Sequence, residues 1–154
     1  MGRLSELRTH VNYELEMIPD PKTRTGAVAH LYGVSLAATM LAKKRGLDPE
    51  LASMAAMLHD LWAYKNSSYE DHAHRGAALA REILEGLGLT APEETEAICS
   101  AIYHHDDKLT MDGPMEELLK DADVVHHCMN DLSKAVKKKE KARFENLCKE
   151  FGIE

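Results

Sequence analysis

Apolar residues recur along this chain at spacings of three and four, and no stretch alternates convincingly with a period of two. Leu4, Leu7, Val11, Leu15 and Ile18 step along one face of a first helix, an amphipathic brace or lid that Pro19-Asp20-Pro21 brings to an end. A second helix is expected from about Thr25 to Arg45, carrying His30 near its start and closed by Gly46, a residue that readily takes a left-handed cap. Asp48-Pro49-Glu50 then offers an N-cap, a first-turn proline and a first-turn acid. A third helix starts there and delivers the pair His59-Asp60 at its polar end.

Lys65 to Glu70 is polar and aperiodic and predicts a loop. The next helix begins around Asp71 and runs through Ala77, Ala80, Ile83 and Leu84 to Gly86 and Gly88, which puts His72 at its N-terminus. Thr90-Ala-Pro-Glu93 has capping-box spacing, and Ile98, Ala101, Ile102 and His105 then share one helical face. On that face His105 points inward, and His104 is turned about 100° away. After the turn-rich stretch from Asp106 to Pro114, Leu118, Ala122, Val125, Met129 and Leu132 mark a long helix bearing Asp121 and Asp123. A last helix covers roughly Glu140 to Glu150. The pattern is all-α, a bundle of about six to seven helices, with no repeat or linker dividing residues 1–154.

Composition narrows the picture. A chain of 154 residues that is 44% hydrophobic fills one core. Its apolar runs are short and interrupted, well below the roughly 18 to 20 residues of a membrane span, and the N-terminus has no secretory h-region, so a cytoplasmic location is expected. Cys99, Cys128 and Cys148 are odd in number and widely spaced, which favours reduced core thiols over disulfides. Met17, Met40, Met54, Met57 and Met129 fall at helical spacing and are expected to fill the core. A net charge of −7 argues against a nucleic acid polymer as partner. Against that balance, Lys134 to Lys141 holds five lysines in eight positions; it reads first as a solvated helix face and second as an anion-steering patch.

The chemistry lies in the histidines, nine in 154 residues and clustered. An acid beside an imidazole at His59-Asp60 can hold a metal, and His30, His72 or His74, the pair His104-His105, and Asp121 or Asp123 supply further candidate ligands. Imidazole and carboxylate together suit iron, manganese, nickel or zinc. His126 and His127 follow Asp123 at i+3 and i+4, where they either orient its carboxylate or lie on the helix surface. His10 has no assignable partner.

The ordered set His30, His59-Asp60, His72, His104-His105 and Asp123 resembles the HD superfamily of metal-dependent phosphohydrolases over about Gly26 to Leu132. Leu58-His59-Asp60-Leu61, His72-Ala-His-Arg-Gly76 and Lys120-Asp-Ala-Asp123 carry the likeness. The resemblance implies that His30, His59, Asp60 and Asp123 hold one metal. It further implies that Asp60 bridges to a second metal held by His72, His104 and His105; Gly76 favours His72 over His74, and the Ala-Asp match favours Asp123 over Asp121. Two divalent ions are expected, iron or manganese first and nickel, zinc or magnesium after them.

A water shared by two such ions would attack phosphorus without a covalent enzyme intermediate. Where many members carry an acid or base a few positions after His-Asp, this chain has Leu61-Trp62-Ala63-Tyr64, which leaves Lys65 as the nearest phosphate clamp and catalytic candidate beside Asp60. Arg24, Arg75 and Lys108 are equally plausible as phosphate contacts or as surface charge. The Gly-Tyr-Pro segment of the cyclic dinucleotide phosphodiesterases is missing after His105, so a cyclic dinucleotide is not the expected substrate. The expectation is hydrolysis of a small phosphorylated molecule, a nucleotide or dinucleoside polyphosphate, by a protein with no membrane partner that could form a homodimer. Two alternatives stand beside it. One is a mixed-valent di-iron oxygenase built on His30, His59, Asp60, His72, His104 and Asp123; the other is a metal and nucleotide binding module without turnover.

Overall fold

The computed structural model describes residues 1–154 and is entirely helical apart from its connections. Seven helices have ten residues or more: α1 (Arg3–Glu16), α2 (Pro21–Arg45), α3 (Pro49–Leu58), α5 (His72–Leu87), α6 (Pro92–His104), α7 (Pro114–Met129) and α8 (Lys141–Phe151). Between α3 and α5 lies the six-residue α4 (Leu61–Asn66), and a 3-10 turn, Lys138–Glu140, precedes α8.

Helices α2 and α3 form the centre, with α7 packed on α2 and with α5 and α6 paired beside α3. Helix α1 buries Leu7, Val11 and Leu15 against this centre, each such aliphatic side chain contributing roughly 1.5–3 kcal/mol over exposure. Helix α3 is short and buried on every side from Leu51 to Leu58, so the chain reaches His59 from inside the core.

Several boundaries differ from the sequence reading, each for a local reason. Pro19-Asp20-Pro21 ends α1 and also starts α2 four residues earlier than expected: the Asp20 carboxylate accepts from the Thr23 amide at 2.8 Å, and Pro21 takes the first turn. The box before α6 is shifted by one, because Ala91 is the cap residue and only the return bond forms, from its amide to Glu94 at 2.9 Å. Lys65 and Asn66 belong to α4, which ends on Ser67 in a left-handed conformation with φ 49°.

Helix α7 stops at Met129, and Leu132 is exposed. The lysine run is therefore not a helix face: residues 131–137 are irregular and only Lys141 enters α8. Met54 and Met57 fill the core, but Met17, Met40 and Met129 are exposed. Met17 falls at the C-cap of α1, and the other two line an apolar surface groove with Phe144 and Phe151. Helix α2 is long and apolar enough to cross a bilayer by length and composition, contrary to the sequence reading. Its packing on α3 and α7 accounts for that composition.

Candidate metal centre

The site forms where α3 breaks. His59 is the C-cap of α3 and Asp60 the residue before α4, at φ −112° and ψ 6°, so the chain bends and both side chains turn into the centre of the bundle. His30 reaches it from α2 and Asp123 from α7, and all four residues are buried. His30 Nε2 lies 3.1 Å from His59 Nε2, 3.1 Å from Asp60 Oδ2 and 3.2 Å from Asp123 Oδ1. His59 Nε2 stands 3.3 and 3.5 Å from the same two oxygens. Donors about 2.1 Å from one ion are about 3.0 Å apart at a right angle and about 3.4 Å apart at the tetrahedral angle, so these separations fit a single metal.

The other oxygen of Asp60 serves a second group. Its Oδ1 is 3.2 Å from His105 Nε2 and 3.5 Å from His72 Nε2. Asp60 thus presents one oxygen to each of two clusters.

The hydrogen bonds behind these rings decide what the front can hold. Nδ1 of His59, His72 and His105 lies 2.7, 2.9 and 2.6 Å from the carbonyls of Ala56, Tyr69 and Ile102. A carbonyl only accepts, so each Nδ1 carries a proton, and each ring in its neutral form turns a bare Nε2 lone pair to the centre. Lone pairs and carboxylate oxygens converging without a donor between them form a cation site. Asp123 Oδ1 is buried there without a hydrogen-bond donor, as expected of an atom reserved for a metal.

The electrostatics of the cluster agree with that demand for a cation. Burial pushes the His59 imidazole down, yet Asp60 and Asp123 more than reverse this and hold it up at about 10. Burial opposes charge on the carboxylates as well, yet Asp60 and Asp123 stay well below the usual range, held there chiefly by His59 and by Lys108 respectively. A proton on His59 therefore takes the place of the ion when the ion is absent. His105 is lowered by burial. Burial and the neighbouring His30 bring His126 down to about 4.

Some residues named from sequence lie elsewhere. His104 turns its Nδ1 to the Ser100 carbonyl at 2.9 Å and packs edge-on to Tyr103, outside both clusters, because one helical step of about 100° separates it from His105. The second set of ligands is therefore Asp60, His72 and His105, without the His104 that the resemblance implied. Lys65 is bound to Glu14 at 2.6 Å and does not line the cavity, so it is no clamp. His74 pairs with Asp71 and stacks on Tyr103. Asp121 is held by Arg45 and Arg143 on the other side of α7. Arg24 bonds the Ile18 carbonyl, Arg75 lies over Trp62, and His10 faces Glu14.

The lysine at the centre is Lys108, which the sequence left open between a phosphate contact and surface charge. It is buried, with Nζ 2.8 Å from Asp123 Oδ2 and 2.6 Å from the His105 carbonyl. Its loop is held by fully buried Lys120, which bonds the Thr110 carbonyl and Asp112, and by Arg143, which bonds the Lys108 carbonyl. Burial follows from this tertiary framing, and no local signal in the sequence announces it.

His127 Nε2 is 3.3 Å from Asp123 Oδ1, and its Nδ1 is 2.7 Å from buried Glu140. A cavity of about 380 Å³ opens over both clusters, lined also by Tyr64, Tyr69, Lys108 and, from the 131–140 segment, Lys134, Lys137 and Lys139.

The chain has matches among known proteins. The HD domain family model matches residues 27–128. A Bacillus subtilis (strain 168) protein named "Putative phosphohydrolase YueE" is 31% identical over 138 residues, covering 74% of this chain and 78% of its own. The crystal structure of a predicted HD superfamily hydrolase from an uncultured Thermotogales bacterium superposes with a TM-score of 0.67 at 21% identity, over 96% of this chain and 88% of that one, and shares the fold. With its His-Asp pair at the break between α3 and α4 and its last carboxylate on α7, the chain belongs to the HD-domain family.

Proposed function

We propose that this protein is a metal-dependent phosphohydrolase that works with two divalent ions and acts on a small phosphoester, a nucleotide or dinucleoside polyphosphate. The observation that carries this reading is the placement of Asp60, whose two oxygens face separate ligand clusters under one cavity. Two bound ions would acidify a shared water and neutralise charge on the phosphoryl oxygens.

The protein's own groups do the rest. Lys108 fixes the outer oxygen of Asp123 and leaves the inner one to the first cluster. Lys134, Lys137 and Lys139 bring positive charge to the cavity of a chain with net charge −7, which steers a phosphorylated substrate there. Tyr64 and Tyr69 line the same cavity and supply aromatic surface for a base. The name of the Bacillus subtilis relative supports the same reaction class.

The test is metal content per chain, by elemental analysis of protein purified without chelator, together with phosphate release from a nucleotide panel. About two iron or manganese ions with phosphate release are expected, and Asp60→Ala should abolish both. Full hydrolysis by Asp60→Ala would refute the reading.

A di-iron oxygenase would use the same six side chains with His105 in place of His104. Because only His105 of the adjacent histidine pair faces the site, the pair does not separate the two reactions. The cavity lysines favour hydrolysis, and two irons with oxygen uptake and no phosphate release would favour oxygenation.

A further inference from the structure

Of the four histidines facing the two clusters, His30 alone has no carbonyl behind it. Its Nδ1 meets another side chain, His126 Nδ1, at 2.9 Å, with the two rings edge to face at 4.7 Å. One of these nitrogens must donate and the other accept. If His126 donates, the proton of neutral His30 is forced onto Nε2, into the centre of the first cluster. If His126 accepts, His30 Nε2 is bare, as in the other three rings. The ligating state therefore requires an acceptor at His126 Nδ1.

The place for that ring is made by Gly33. A Cβ there would overlap His126 Cδ2 and lie 2.8 Å from its Nε2. Gly33 stands inside α2 without a positive φ, where glycine costs about 1 kcal/mol against alanine and gives no backbone freedom the helix uses. Gly26, in the same helix, has open space around it. The room at Gly33 is thus specific to the His126 ring.

We propose that His126, seated in the slot left by Gly33, is the positioning residue that holds His30 in its ligating tautomer and so sets the affinity of the first cluster for its ion. This rests on the metal-binding reading above. Gly33→Ala turns the ring away from His30 while leaving a better helix former in α2. His126→Asn keeps an acceptor oxygen near the Nδ1 position, whereas His126→Leu removes it and keeps much of the bulk.

The experiment is calorimetric titration of Mn²⁺ into metal-stripped protein carrying His72→Ala, so that the first cluster is read alone. Adding Gly33→Ala or His126→Leu should weaken Mn²⁺ binding by about 10- to 100-fold, the usual loss when a partner behind a ligating histidine is removed. Gly26→Ala should change nothing, and His126→Asn should restore most of the affinity. Melting curves of the metal-free variants confirm that the fold is retained. Equal Mn²⁺ affinity in Gly33→Ala, His126→Leu and their parent overturns this inference and leaves the two-ion hydrolase standing. No Mn²⁺ binding by the parent overturns this inference alone, and none by the wild type overturns both.

Discussion

The two clusters share Asp60 and are otherwise built differently. The first takes four donors, two of them carboxylates, and two of its side chains, His30 and Asp123, stand inside long helices of the central layer. The second takes three donors, and its histidines sit at helix ends, His72 opening α5 and His105 capping α6. A four-donor set with two negative charges holds its ion firmly. A three-donor set leaves positions for water and substrate, the arrangement expected of a catalytic ion. Under the two-ion reading proposed above, the first cluster would be the more structural and the second the more reactive, with one carboxylate joining them.

Breaking the joint gives the largest effect. Asp60→Ala should remove both ions and lower turnover by about 10⁴-fold or more, read as phosphate release against metal count. Breaking the second cluster alone comes next: His72→Ala should leave one ion per chain and cut activity about 100-fold, and retention of two ions would end the distinction drawn here.

The third prediction concerns protons. His59 is raised to about 10 in the metal-free fold against 6.5 unfolded. The stability it confers is thus full below pH 6.5 and lost as pH rises through 10. Metal at the first cluster displaces that proton, so its apparent affinity should gain about tenfold per pH unit between 7 and 9, with proton release visible in buffers of different ionisation enthalpy.

Reversing the cavity charge should be milder. Lys134→Glu with Lys137→Glu should raise KM about three- to tenfold with kcat nearly unchanged, and the difference should shrink in high salt. His104→Ala should be the smallest, within about twofold of wild type, because its ring meets neither cluster. A large loss at His104 together with a small one at His105 would reverse the assignment of the pair.

That pair also shows how the sequence could be read. Helical periodicity alone points His105 inward and His104 away, as found, while the resemblance placed both at the metal; the local geometric rule was the better guide for a residue one step from a ligand. His30, His59, Asp60, His72 and Asp123 were legible because their spacing survives in one dimension. The clamp was not. Lys65 follows Asp60 closely in sequence but points to Glu14, whereas Lys108 comes from a loop whose burial depends on Lys120 and Arg143. The lysine run misled in the same way, since five basic residues say nothing about whether they lie on a helix or over a cavity. Gly33 gave no turn or cap signal, because its purpose lies on another helix.

Lys120 has a consequence of a different kind. A wholly buried ammonium, bonded to a backbone carbonyl and paired with Asp112 and Glu117, ties the 106–113 wall of the cavity into the core. Any insertion there would strand a buried charge. The facing segment, residues 131–137, holds no buried charge, so a change in its length or charge should leave the fold intact while altering the other wall of the cavity.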